Sequence, residues 1–179
     1  HVSSDVLRIM GKPGREVYER FIESFRGMNT RLGKKQYLVP YFISSHPGAE
    51  LKDAVELAEF LRDIRFQPEQ VQDFIPAPGS PATCIYWTGI DPMTGGTVHV
   101  PKSREERKMQ RALLQYREPR NRETVIRALE AAGRSDLIGQ GPLCLVRPQH
   151  RPEKGKMSAP LLLGGKKPGG RFEKRRSGL

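Results

Sequence analysis

Cysteine is almost missing from this chain: Cys84 and Cys144 are the only two. So widely separated a pair makes neither a disulfide framework nor a metal-ligand set of familiar spacing, and each reads as a free, buried thiol. Histidine is equally sparse: His1, His46, His99 and His150 are scattered and give no zinc or iron constellation. No apolar run approaches the roughly 20 residues that a membrane-spanning helix requires. Nothing near His1 has the apolar stretch and small-residue cleavage site of a signal peptide. The expectation is a soluble, cytoplasmic protein, and a first residue other than Met reads as a processed chain or a piece of a longer one.

Negative charge is lacking in one region above all. Residues 147–179 hold ten Lys/Arg against two Glu, so eight of the eleven net positive charges of the sequence lie there. The remainder is nearly balanced. The same stretch is rich in Pro and Gly, and its sole apolar island is Leu161, Leu162 and Leu163. Such a composition buries too little apolar surface to offset the entropy of ordering, which predicts a disordered basic tail. A solvated terminus is the first reading of it. Weak nucleic-acid contact through salt-sensitive phosphate binding is the second, although Phe172 alone supplies poor base stacking. Membrane-surface binding comes last, for want of an amphipathic face.

What the sequence does contain is a run of apolar and aromatic residues, 37–43, that stops abruptly in Ser44, Ser45, His46, Pro47 and Gly48 before a helical pattern begins. This reads as a buried strand delivering a polar turn to a helix start, the place where α/β sheets bind ligands. Pro40 in mid-strand implies a bulge or sheet irregularity. Apolar spacing predicts helices over 2–10, 15–32 and 49–65. A second short strand follows at 71–75, closed by Pro76, Ala77, Pro78 and Gly79. Strand, helix and strand form one parallel βαβ unit.

Residues 83–88 read as a further strand and 98–100 as an edge strand. Ser103 with Glu106 forms a capping box that opens a helix through Tyr116. Asn121 caps another helix, which Gly133 stops, and 136–139 look like one more turn. Two or three strands do not make a self-sufficient parallel sheet, because such sheets are covered on both faces and usually larger. The chain therefore looks like the back end of a larger α/β protein with a helical addition.

Several motifs, in order, carry a resemblance. Leu-Val-Pro-Tyr-Phe-Ile-Ser-Ser-His-Pro-Gly at 38–48, Val-Gln-Asp-Phe-Ile-Pro-Ala-Pro-Gly at 71–79 and Ala-Thr-Cys-Ile-Tyr-Trp-Thr-Gly-Ile-Asp-Pro at 82–92 resemble the YgiQ-type radical SAM proteins, a bacterial family of unsettled function. Gln-Arg-Ala-Leu-Leu at 110–114, Arg-Ser-Asp-Leu-Ile-Gly at 134–139 and the opening around Val6, Leu7 and Met10 to Pro13 fit the same family. The resemblance covers residues 1 to about 146.

The resemblance implies a partial (β/α) barrel that binds S-adenosylmethionine against a four-iron four-sulfur cluster and forms a 5′-deoxyadenosyl radical for hydrogen abstraction. It implies that residues 1–90 hold the last two barrel units and 91–146 a helical carboxy-terminal domain, ahead of the tail read from composition over 147–179. The family's Cys-x-x-x-Cys-x-x-Cys motif is absent, so the cluster would belong to a missing amino-terminal part, the chain's expected partner. Cofactor-binding residues on this likeness are Ser44, Ser45, His46, Pro47, Gly48 and Pro76. Small side chains admit a close backbone approach to the adenosyl moiety, hydroxyls bond its ribose or carboxylate, and free amides at the helix start favour anionic groups.

Blander accounts stand beside these. His46 fits either a packed turn residue or a ligand or proton-transfer group. Ser44 and Ser45 also serve turns and caps, Asp91-Pro92 reads as a turn former, and Tyr86 and Trp87 are packing residues or a stacking surface for a cofactor base. The leading expectation is an inactive carboxy-terminal piece of a radical enzyme of unknown substrate. The alternative is a binding module for nucleic acid or another acidic partner.

Overall fold

The computed structural model describes residues 1–148. Of the tail expected over 147–179, all but Arg147 and Pro148 lies outside the described residues. The elements run α1 (Ser4–Ile9), α2 (Arg15–Leu32), β1 (Ile43–Ser44), α3 (Leu51–Asp63), β2 (Gln72–Asp73), α4 (Pro81–Thr88), α5 (Arg104–Leu114) and α6 (Arg122–Ala131). Short 3-10 turns occupy Pro119–Asn121 and Ser135–Leu137. The result is a helix-rich fold around a small parallel sheet, with no described helix long and apolar enough to cross a membrane.

Helix α3 organises the core because it is apolar on two faces. It starts where the Glu50 amide donates to Asp53 Oδ2 at 2.8 Å, one arm of a capping box. Ala54, Val55 and Ala58 pack with Ala112, Leu113 and Tyr116 and with Val125, Ala128 and Leu129 of α6. On the opposite side Leu57, Phe60 and Leu61 meet Val2, Phe42, Val71 and Leu114. Truncating Leu61, which is fully buried, to Ala would cost about 2–5 kcal/mol through lost transfer energy and the cavity left behind. Helix α3 thus shares its core with α5 and α6.

The βαβ unit is parallel as expected, with Ile43 opposite Gln72 and Ser44 opposite Asp73. Its strands are much shorter than the sequence predicts. The segment 37–42 lies off any ladder, so Pro40 needs no bulge. Phe42 turns inward, while Tyr37, Val39 and Tyr41 point out with 82%, 83% and 66% of their surface exposed. Side chains thus alternate between the two sides of an extended segment. Likewise the expected strand 71–75 is reduced to Gln72–Asp73, and Ile75 is exposed. Helix α2 spans the expected residues but buries none of them, leaving Val17, Phe21 and Met28 open.

Other expectations are corrected. Residues 83–88 are helical, not a strand: the Ser80 side chain accepts from the Thr83 amide, Pro81 takes the first turn, and Gly89 closes the helix at φ 72°. Strong end signals outweighed the β-branched and aromatic composition between them. Residues 98–100 form no strand, because the pairing there is a single bridge of Ile90 with Thr97. Only half of the Ser103 capping box forms, since the Glu106 carboxylate instead meets His99 Nε2 at 2.7 Å. Asn121 does not cap α6; its side chain donates to the Gln115 carbonyl at 3.1 Å. Both cysteines are free, but Cys84 is exposed and Cys144 half-buried.

Candidate functional site

Parallel pairing brings the carboxyl ends of β1 and β2 to one edge, tied by the Phe74 amide donating to the Ser44 carbonyl at 2.8 Å. Ser44 Oγ donates to Asp73 Oδ1 at 2.5 Å, and the other oxygen of Asp73 faces the Arg111 guanidinium of α5 at 3.2 Å. Ser45 follows in the left-handed region at φ 59°, an uncommon conformation for a residue with a Cβ. Its amide donates to Gln110 Oε1 at 3.1 Å. Its own hydroxyl is buried and has no hydrogen-bond partner among the described residues.

His46 is buried beside it, with Nδ1 2.8 Å from the Pro47 carbonyl oxygen. That contact makes Nδ1 the donor and leaves Nε2 as an acceptor. Burial pushes the imidazole below its ordinary pKa, and the Pro47 bond works against that shift. The ring meets Phe74 edge-on at 4.9 Å. Pro47 is fully buried. Gly48 lies at φ 86°, its amide donates to the His99 carbonyl at 2.7 Å, and an added Cβ would stand 2.4 Å from Ile9 Cδ1. The left-handed backbone favours glycine there.

Helix α5 holds this turn from below. Gln110, almost wholly buried, accepts from the Ser45 amide and donates through Nε2 to the Ala49 carbonyl at 2.9 Å. The structure therefore gathers Ser44, Ser45, His46, Pro47 and Gly48 into one buried polar turn. Pro76, half-buried, lies just past β2 at the same end of the sheet. Sequence reasoning passed over Asp73, Phe74, Gln110 and Arg111. Gln110 left a signal: it is an uncharged polar residue on the inward stripe of an amphipathic helix, between Met109 and Leu113. Among the described residues no group of three or more His, Cys, Asp or Glu is placed to hold a metal ion.

Comparison with known proteins gives the family. The domain of unknown function DUF3362 matches residues 69–174. A UPF0313 protein of Clostridium perfringens (strain 13 / Type A) is 52% identical over 167 residues, covering 93% of this chain and 25% of the relative. A UPF0313 protein of Methanocella arvoryzae is 54% identical over 148 residues, covering 83% of this chain and 25% of the relative. One from Methanosarcina acetivorans is 53% identical over 147 residues, covering 82% and 20%. No solved structure matches the chain significantly. The chain thus spans about a quarter of the length of the curated relatives it matches, and by the match over more than half its residues it belongs to the DUF3362 family.

Proposed function

We propose that this chain is the carboxy-terminal portion of a radical S-adenosylmethionine iron-sulfur protein, supplying part of the cofactor pocket and inactive alone. The observation that carries the proposal is the buried turn at the strand ends with its unpartnered Ser45 hydroxyl. A buried polar group without a partner costs roughly 1–3 kcal/mol, a cost that a bound polar ligand removes. The exposed side chains of Tyr37, Val39 and Tyr41 support a covering part of the protein outside this chain, as does the length of the relatives.

The two implied groups fare differently against the residues present. A four-iron four-sulfur cluster does not fit: Cys84 and Cys144 stand apart, and no ligand cluster occurs among the described residues. The polar groups of the turn support S-adenosylmethionine there. Ser45 Oγ offers a hydrogen bond to a ribose or carboxylate oxygen, and the neutral His46 offers an acceptor at Nε2. When bound to a cluster held elsewhere, this cofactor supplies hydrogen-abstracting chemistry. The chain's own residues bind and orient it.

The test begins with the coding DNA ahead of His1, which should encode the Cys-x-x-x-Cys-x-x-Cys motif; an unrelated domain there ends the proposal. In the parent protein, Ser45→Ala should weaken S-adenosylmethionine binding by about tenfold in calorimetric titration, the worth of one hydrogen bond in a buried site. Unchanged affinity would remove Ser45 from the pocket.

A second reading rests on the charge concentrated in residues 147–179: binding of RNA or an acidic partner through the tail. Deleting 147–179 should then abolish binding of labelled RNA at low salt, and retention of that binding would refute it.

A further inference from the structure

Helices α5 and α6 face each other across an open cleft of about 630 Å³. Lys108 and Arg111 line it from α5; Arg120 of the preceding 3-10 turn and Glu123, Thr124 and Arg127 of α6 line it from the other side. Spacings of three and four residues stack each set on one helical face. Thr124 keeps only 7% of its surface exposed and lies at the bottom of the cleft. On the lining, four cations therefore meet one carboxylate. Two further acids stand outside it: Asp73 holds Arg111 at 3.2 Å and Glu105 holds Arg127 at 2.8 Å. Even with both counted, four cations face three carboxylates. Lys108 and Arg120 make no ion pair among the described residues.

We propose that this cleft binds a small phosphate-bearing molecule. Three guanidinium groups and one ammonium converge on a single concave space, and a guanidinium fork matches two phosphate oxygens at once. Asp73 and Glu105 each occupy part of one guanidinium and hold it in place, while its remaining N–H groups stay available to a ligand. Lys108 and Arg120 bring the charge that no carboxylate meets. The volume suits a small-molecule site. No aromatic side chain among the described residues lines it, so it offers no stacking surface to the bases of a single strand. Every lining residue falls within the DUF3362 match, which makes the site a property of that region. Arg111 also borders the strand-end turn, because Asp73 bridges it to the Ser44 hydroxyl. The inference rests on the shape and charge of the cleft and not on radical chemistry in the parent.

Inorganic pyrophosphate is the probe. Calorimetric titration of the full chain at low salt should show saturable binding at one site. Arg120→Ala and Lys108→Ala should each weaken it about tenfold, the worth of one charge-assisted hydrogen bond. Glu123→Gln, which removes the one acid on the lining, should tighten it about threefold. Arg104, exposed on the same helix but off the cleft, is the control, and Arg104→Ala should leave the affinity unchanged. Circular dichroism checks that the variants keep the helical fold. Absence of saturable binding would overturn the proposal. So would equal losses from Arg104→Ala and Arg120→Ala, which would mean diffuse charge attraction only. Binding indifferent to Arg120→Ala and Lys108→Ala would place the anion on residues 147–179 and reject the cleft. A uridine oligonucleotide that binds more tightly than pyrophosphate, and is lost with the same two variants, would replace the small phosphate by a polynucleotide.

Discussion

Gln110 and Ser45, 65 positions apart in sequence, are joined by a hydrogen bond of 3.1 Å from the Ser45 amide to Gln110 Oε1. The same side chain donates to the Ala49 carbonyl at 2.9 Å. One amide group from the DUF3362 region thus spans both ends of the polar turn and holds Ser45 in its left-handed conformation. Gln110→Ala would leave a buried amide and a buried carbonyl without partners. About 2–4 kcal/mol of stability should be lost, read as a lowered urea midpoint. A loss under 0.5 kcal/mol would show that the turn does not depend on α5.

Gly48 holds a backbone conformation that a residue with a Cβ rarely adopts. At φ 86°, with Ile9 Cδ1 where a Cβ would go, Gly48→Ala should cost about 1–3 kcal/mol. Gly27, inside α2 with nothing near its Cβ position, is the control. There Ala should be neutral or stabilising by about 1 kcal/mol. Thermal unfolding of both variants checks the contrast.

Arg134 ties α3 to the last 3-10 turn. Its guanidinium contacts both oxygens of Glu59 at 2.9 and 3.0 Å and both of Asp136 at 3.0 Å. These bonds raise its pKa further and hold the Asp136 carboxyl below its ordinary range. The side chain is about a third exposed, so solvent screening limits the worth of the pair. A double-mutant cycle of Arg134→Met with Glu59→Gln should give a coupling of about 0.5–1 kcal/mol. Zero coupling would reduce the fork to a surface ornament.

Stability should fall on the acid side in two stages. Burial lowers the His46 pKa, so its contribution is complete above about pH 6.5 and is lost as pH falls from there to the folded value. Asp91, lowered chiefly by the Met93 amide, and Asp136, lowered chiefly by Arg134, contribute above the ordinary carboxylate range. Their contributions disappear as pH falls through the depressed values. Urea midpoints measured from pH 7.5 downward should decline, and His46→Gln should flatten the upper stage alone. A midpoint that rises between pH 6.5 and 5 would have the sign wrong.

The exposed apolar side chains make a prediction about folding. With Tyr37, Val39 and Tyr41 open to solvent and α2 burying none of its residues, the chain alone should unfold over a broad calorimetric range and bind a hydrophobic dye. Serine at these three positions should barely alter that transition, yet should destabilise the parent protein by several kcal/mol if they pack there. A sharp, high-temperature transition of the chain by itself would contradict the need for a covering part.

Much of this was legible from local pattern. The 3.6-residue spacing marked α2, α3, α5 and α6, and the switch from apolar run to Ser, Ser, His, Pro and Gly marked the turn and the parallel unit around it. Residues 83–88 misled because Thr, Ile, Tyr and Trp favour strands, whereas Ser80, Pro81 and Gly89 fix the helix ends. The long strands at 37–43 and 71–75 were read from composition, but a strand exists only where another backbone pairs with it, and few residues here have such a partner.

Local chemistry in the amino-acid order was enough to determine α2, α3, α5 and α6, the polar turn and the basic end, because periodicity and charge act between residues near in sequence. Tertiary structure alone decided that Gln110 braces Ser45, that Asp73 links Ser44 to Arg111, and that one hydroxyl stays unsatisfied in the turn. Those relations join α5 to strand ends dozens of residues away. No local pattern encodes them; they arise when α3 packs against its neighbours and brings the segments within hydrogen-bond reach.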